Sequence, residues 1–404
     1  VLFDPPSGIA GDANGDGTAD LLVGSGGIEF SDFSPSYQDR LYLNDGKGNF
    51  SRSGQLFPAT PTSFILSWDG DQDGDQDLII GERGFPFGYG IAVGVQFWKN
   101  DGKGNFTEES ATLGKPFASL GMLTDGALAD LDGDGKTELL LVGEWMGLHI
   151  FTFDQGAWSN RTAQFGLENT RGFWKRILVA DINGDGKMDV LAGNFGSNSR
   201  LRTSATNPLR LAINDFDQNG SIEQILHHHE NGKSIPWILK NTLVKQIPSL
   251  KKQLLSYADF KNKSLEELFP QSVWANSIIL QADWMETTLW INQGSGKMVQ
   301  EALPAEVQYA PVHAITLLPR PGKSSLILLG GNESRIKPEL GTQLGSYAWV
   351  LEKDATNNWK ALKPQESGLF VSGEIRDFQW IQSNNQTHLF VLRNHDKPLV
   401  VSLQ

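Results

Sequence analysis

The chain has 404 residues, 39% of them hydrophobic, a formal charge of −13 and no cysteine. That length suffices for a large buried core. The missing cysteines exclude disulfides, thiolate nucleophiles and thiolate metal sites, and the negative charge argues against nucleic acid as a partner.

No apolar run approaches the roughly 18 residues that span a bilayer, so the chain is not expected to cross a membrane itself. The opening Val-Leu-Phe-Asp-Pro-Pro lacks the pattern of a signal peptide. A mature or trimmed chain would share that lack, so export stays open.

From the N-terminus, an acidic nine-residue motif recurs, each time before an aliphatic run. Its copies start at Asp12, Asp69, Asp130, Asp181 and Asp215. Positions 1, 3, 5 and 9 are acidic or amide: Asp12, Asn14, Asp16 and Asp20; Asp69, Asp71, Asp73 and Asp77; Asp130, Asp132, Asp134 and Glu138. The fourth copy has Asp181, Asn183, Asp185 and Asp189, and the fifth Asp215, Asp217, Asn219 and Glu223. Position 6 is always glycine, which permits a positive-φ bend.

Alternate oxygen donors around such a bend suit a hard cation, and Ca²⁺ takes six to eight oxygens. Position 7 is Thr18, Asp75, Lys136, Lys187 or Ser221. A position that tolerates lysine offers its backbone carbonyl, as calcium loops do there. The twelfth residue is Val23, Ile80, Leu141, Ala192 or Leu226. An EF-hand needs a bidentate Glu at that point, so these are strand–loop–strand hairpins. About five Ca²⁺ ions are expected, and five would bring −13 to about −3.

A second motif follows the first. Leu41–Phe50 reads LYLNDGKGNF and Phe97–Phe106 reads FWKNDGKGNF. Asp-Gly between apolar stretches is a hairpin signal. The first four acidic loops are 51–61 residues apart. Four strands per unit at that period predict an all-β fold, a β-propeller of about seven four-stranded blades forming one domain over 1–404. The last third repeats the strands without acidic loops, so its blades should hold no ion. Residues 239–270 are lysine-rich with helical spacing and a Ser-x-x-Glu start at Ser264. They read as a short helical insertion into a blade, more lid than site.

These motifs resemble the FG-GAP/VCBS repeats of integrin-α-like propellers. LRLAINDFDQNGSIEQIL, IPSLKKQLLSYADF and KPELG are similar to the C-terminal propeller of long Bacteroidota proteins related to cartilage acidic proteins, which add an ASPIC/UnbV-type domain. No such segment is visible here, which implies a piece of a longer protein. The resemblance implies an exported, surface-attached lipoprotein at the outer membrane of a Gram-negative bacterium. It further implies a protein partner there, such as a nutrient-uptake transporter complex.

Other candidates are weaker. His227–His229 are read as strand residues, since a closed metal site needs four ligands. The stretches 194–200 and 332–341 mix amides, arginines and glycines after strands and could take a glycan or peptide ligand. Trp68, Trp98, Trp145, Trp174, Trp290 and Trp349 are expected to be core residues. No catalytic signature is present, and the clustered carboxylates are committed to the loops. The expectation is therefore a binding or assembly module and not an enzyme. The alternative is a polysaccharide-acting hydrolase or lyase, which a pocket pairing acids and bases outside the loops would favour.

Overall fold

A computed structural model describes residues 8–294, 296–320, 323–337, 340–383 and 386–402. Residues 321–322 and 384–385, and part of the KPELG stretch, lie outside the described residues. Chain order builds a succession of antiparallel sheets. The first holds Gly8–Gly11, Asp20–Val23, Arg40–Asn44 and Phe50–Arg52; the second holds Thr62–Trp68, Asp77–Glu82, Val95–Asn100 and Phe106–Glu108. Met122–Ala129, Glu138–Met146, His149–Asp154 and Ala157–Asn160 make the third, with Gly172–Phe173 added at its edge.

The fourth sheet is interrupted. Arg176–Ala180 and Asp189–Gly193 pair with Thr288–Asn292 and Met298–Glu301, which follow only after a long detour. Within that detour lies a complete sheet of Leu209–Asn214, Glu223–Glu230, Lys233–Pro236 and Ile278–Ala282. A fifth blade of four strands and a sixth of three, starting at Val312 and Glu374, follow. The described residues thus form seven sheets, six in succession as blades of a propeller and one nested inside the fourth. Sequence spacing counts sheets but does not reveal nesting, because the third strand of blade four lies so far along the chain from its partner.

The leading strands of successive blades pack on one another, from Gly8–Gly11 through to Glu374–Ser383. The larger hydrophobic clusters span neighbouring blades. Phe64, Ile79 and Phe97 of the second pack on Leu139, Phe151 and Trp158 of the third, and Leu191 and Leu289 of the fourth pack on Ile327 and Leu351 of the fifth. Aromatic bulk fills the widening gap between twisted sheets.

The insertion is more than a lid. Leu243, Ile247, Leu250, Leu265 and Phe269 close over Ala212, Phe216 and Ile225 of the nested sheet as a core of their own. Ser264 begins one helical turn, and its backbone N–H donates to the Glu267 carboxylate at 2.9 Å, the capping box read from sequence.

Candidate functional site

Each leading strand pair of the first four blades meets at an acidic loop. The position-1 carboxylate nucleates the bend. Asp12 accepts from the N–H of Gly15 and Gly17 at 2.8 Å each, and Asp130 and Asp181 do the same in their loops. Gly17, Gly74, Gly135, Gly186 and Gly220 all take φ between 83° and 92°. Position 4 is left-handed too, even as Gln72 and Gln218.

Position 9 acts as a lock between strands. Asp20, Asp77 and Asp189 each accept from the second residue of their own loop and from the backbone N–H of a third-strand asparagine: Asn44, Asn100 and Asn292, at 2.8–2.9 Å. The asparagine side-chain amides then reach onward. Asn100 donates to the Ala13 carbonyl and Asn292 to the Leu131 carbonyl, each in the preceding blade's loop. Loop order and blade order are therefore coupled.

Three loops bring acidic oxygens within 4.8 Å of one another: Asp69, Asp71 and Asp73; Asp130, Asp132 and Glu138; Asp215, Asp217 and Glu223. In the first and fourth loops Asn14 and Asn183 stand at position 3 and accept from the N–H of Asp16 and Asp185. Burial, then neighbouring Asp73 and Asp77, push the Asp75 carboxyl up to about 6. Burial raises Asp77, Glu138, Asp189 and Glu223 as well. Buried oxygens of Asp69, Asp75 and Asp217 have no hydrogen-bond partner. Oxygen-only donors with orphaned oxygens fit a hard cation. Several of these groups could hold metal ions. In the second loop the Lys99 ammonium leans on Asp71 and Asp73. Lys136 turns away to Asp154, which leaves its loop to the carbonyl.

A cleft of about 1000 Å³ opens where the second strands end, away from the loops of the first four blades. Its floor is charged. Glu144 meets Lys175 Nζ at 2.5 Å, Arg83 at 3.2 Å and the Tyr89 hydroxyl at 2.8 Å. Burial works against ionised Glu144, but Lys175 and Arg83 outweigh it and hold the carboxyl far below its usual range. Burial opposes ionised Glu333 too, yet Lys175 and His313 hold it at about 2. His313 itself is pushed down to about 4, by burial and then by Arg376.

The walls are apolar. Trp145, Phe173, Phe195 and Trp237 face Leu201, Leu211 and Leu226, and Thr242, Lys245 and Gln246 of the insertion complete one side. Trp145 and Asn332, beside Glu144 and Glu333, sit at φ 61° and 85°, backbone strain of the kind that gathers at functional sites.

The two loops singled out by composition both reach this cleft, through Phe195 and through Glu333, Arg335, Ile336 and Lys337. Trp68, Trp98, Trp174 and Trp290 pack in the blade cores as expected, and so does Trp145, buried against Phe173 beneath the cleft wall. Glu144, Lys175, Tyr89 and Trp237 carry no sequence signal, because the blades that hold them meet only when packed on one another. His227 is fully buried with neither ring nitrogen bonded, and packs edge-on to Trp274. No third ligand joins it and His229 among the described residues.

Residues 69–141 and 130–192 match the family model described as FG-GAP-like repeat. No curated protein matches. A solved structure similar to this chain is that of the exotype rhamnogalacturonan lyase YesX, at 12% identity, covering 98% of this chain and 71% of that one with a TM-score of 0.34. The expectation that the chain is not an enzyme is corrected. That neighbour is an enzyme, and the cleft floor gathers acids and bases outside the loops, where no motif marks them.

Proposed function

We propose that this chain is a calcium-stabilised propeller of an exported, surface-attached protein, and that its cleft binds a saccharide. The cleft carries the reading. Sugar rings have apolar faces that stack on Trp237, and hydroxyls that pair with a floor of alternating charge from Arg83 through Glu144 and Lys175 to Glu333. Loops of the extracellular type bind calcium at about 10⁻⁴–10⁻³ M, which suits a compartment outside the cytoplasm. Surface attachment beside an outer-membrane transporter complex rests on the resemblance to the longer Bacteroidota proteins.

Titration calorimetry with soluble oligosaccharides tests the reading. Binding that Trp237→Ala weakens by about tenfold or more, the loss expected of a buried aromatic contact, supports it. Absence of heat across neutral, carboxylated and sulfated oligosaccharides would remove it. A second reading is favoured by the fixed charges of the floor: the same cleft acts on the bound sugar, with the Lys175 and Arg83 cations placed to stabilise negative charge as it develops. Turnover of the panel, lost in Lys175→Met while Trp237 still reports binding, distinguishes that reading from binding alone.

A further inference from the structure

The cleft differs in charge from the molecule that holds it. The chain carries −13, and the acidic loops account for eighteen carboxylates, of which only Glu223 lines the cleft. Cleft cations outnumber cleft anions, with Arg83, Lys175, Lys245, Arg335 and Lys337 against Glu144, Glu223 and Glu333.

Two of these anions are already engaged, and the third lies close to a cation. Glu144 is clasped by Lys175 and Arg83, Glu223 receives the Phe216 N–H at 2.9 Å within its acidic loop, and Glu333 lies in the field of Lys175. All three are buried. Lys245, Arg335 and Lys337 are the reverse: each is exposed, and none has an ion-pair partner among the described residues. They come from two elements far apart in sequence, the helix Lys240–Gln246 and the loop after Lys323–Gly331. Trp237 already attracts a cation, since the Arg200 guanidinium lies 5.5 Å from its ring centre. Three unengaged cations over an aromatic wall, on an otherwise acidic protein, make an electrostatic trap for negative charge.

We infer that the cleft selects an anionic saccharide, with Lys245, Arg335 and Lys337 as the specificity-determining cations at its rim and Trp237 as the stacking surface. The inference rests on the saccharide reading above and narrows it. The ligand's negative groups are carboxylates or sulfates, and both would meet the same three side chains.

Calorimetry with matched oligosaccharides tests this: neutral, uronic-acid-containing and sulfated, each at low and high salt. Expected is binding of one or both acidic classes, weakening with salt, and at least about tenfold weaker binding in the Lys245→Gln/Arg335→Gln/Lys337→Gln variant. Which acidic arm binds identifies the anion. The three side chains are exposed, so the variant should fold as the parent does, and Lys47→Gln on a distant hairpin should bind as wild type. Equal affinity for neutral sugars, or no effect of the triple variant, would overturn the anionic assignment while leaving a saccharide cleft standing. No binding in any arm would remove both.

Discussion

Asp39 shows how one residue reports its surroundings. Its carboxylate lies buried between the Ser25 N–H and the Thr62 hydroxyl, each 2.7 Å away. Burial, which outweighs those bonds and Arg40, pushes it up to about 7 from an ordinary 3.8. The unfolded chain thus loses this proton near pH 4 while the folded protein keeps it to about pH 7. The folded state binds more protons across that window, so stability is greatest at its acid end and falls as pH rises through it. Asp39→Asn keeps the shape without the charge. The expectation is a flatter stability profile between pH 4 and 7. At pH 7.5 the variant should be the more stable by up to a few kcal/mol, since each tenfold change in proton affinity is worth about 1.4 kcal/mol. Parallel denaturation profiles for the two proteins would contradict it.

Asp77 makes the corresponding case for the loops. Asp77→Ala orphans the N–H groups of Gly70 and Asn100, at about 1–3 kcal/mol each. That loss should persist in chelator, because the lock joins strand to strand directly. Asp134→Ala and Asp185→Ala, by contrast, should each lower the bound calcium by one ion, whereas Asp396→Ala in the last blade should not. Equal calcium content by atomic emission in all three would undo the calcium proposal.

At the scale of elements, the inserted helices and the nested sheet stand or fall together. Leu265 is fully buried among Leu243, Leu250 and Phe269. Leu265→Ala should cost roughly 2–5 kcal/mol locally, and because that core is separate from the blade clusters, the effect should stay confined. Hydrogen exchange should quicken in Leu209–Asn214 and Glu223–Glu230 while Glu138–Met146 keeps its protection. Uniform quickening through the blades would mean that the segment is part of one cooperative unit. The same packing places Lys245 and Gln246 at the cleft, so the expected lid is in fact a wall.

For the whole molecule, the acidic loops of the first four blades gather on one side and the cleft on the other. Calcium among those loops would offset their mutual repulsion. Chelation should therefore lower the melting temperature by leaving the carboxylates uncompensated. An unchanged melting temperature would mean that their turn hydrogen bonds alone suffice.

The loop motif could be read from sequence because its chemistry is local. Nine consecutive residues contain the glycine bend and the alternating oxygens, and the strand follows at once, so Asp12 or Asp181 announces its turn without distant help. Strand period and blade repeat are legible for the same reason, and so is the all-β propeller. The cleft is not local. Glu144, Lys175 and Glu333 stand at or beside the ends of strands in three blades, and Trp237 directly follows a strand of the sheet nested inside the fourth. Nothing near any of them in the chain marks it as a neighbour of the others. Only the packing of blade on blade, driven by burial of the aromatic layers between them, brings their charges within reach and leaves Lys245, Arg335 and Lys337 facing the same space.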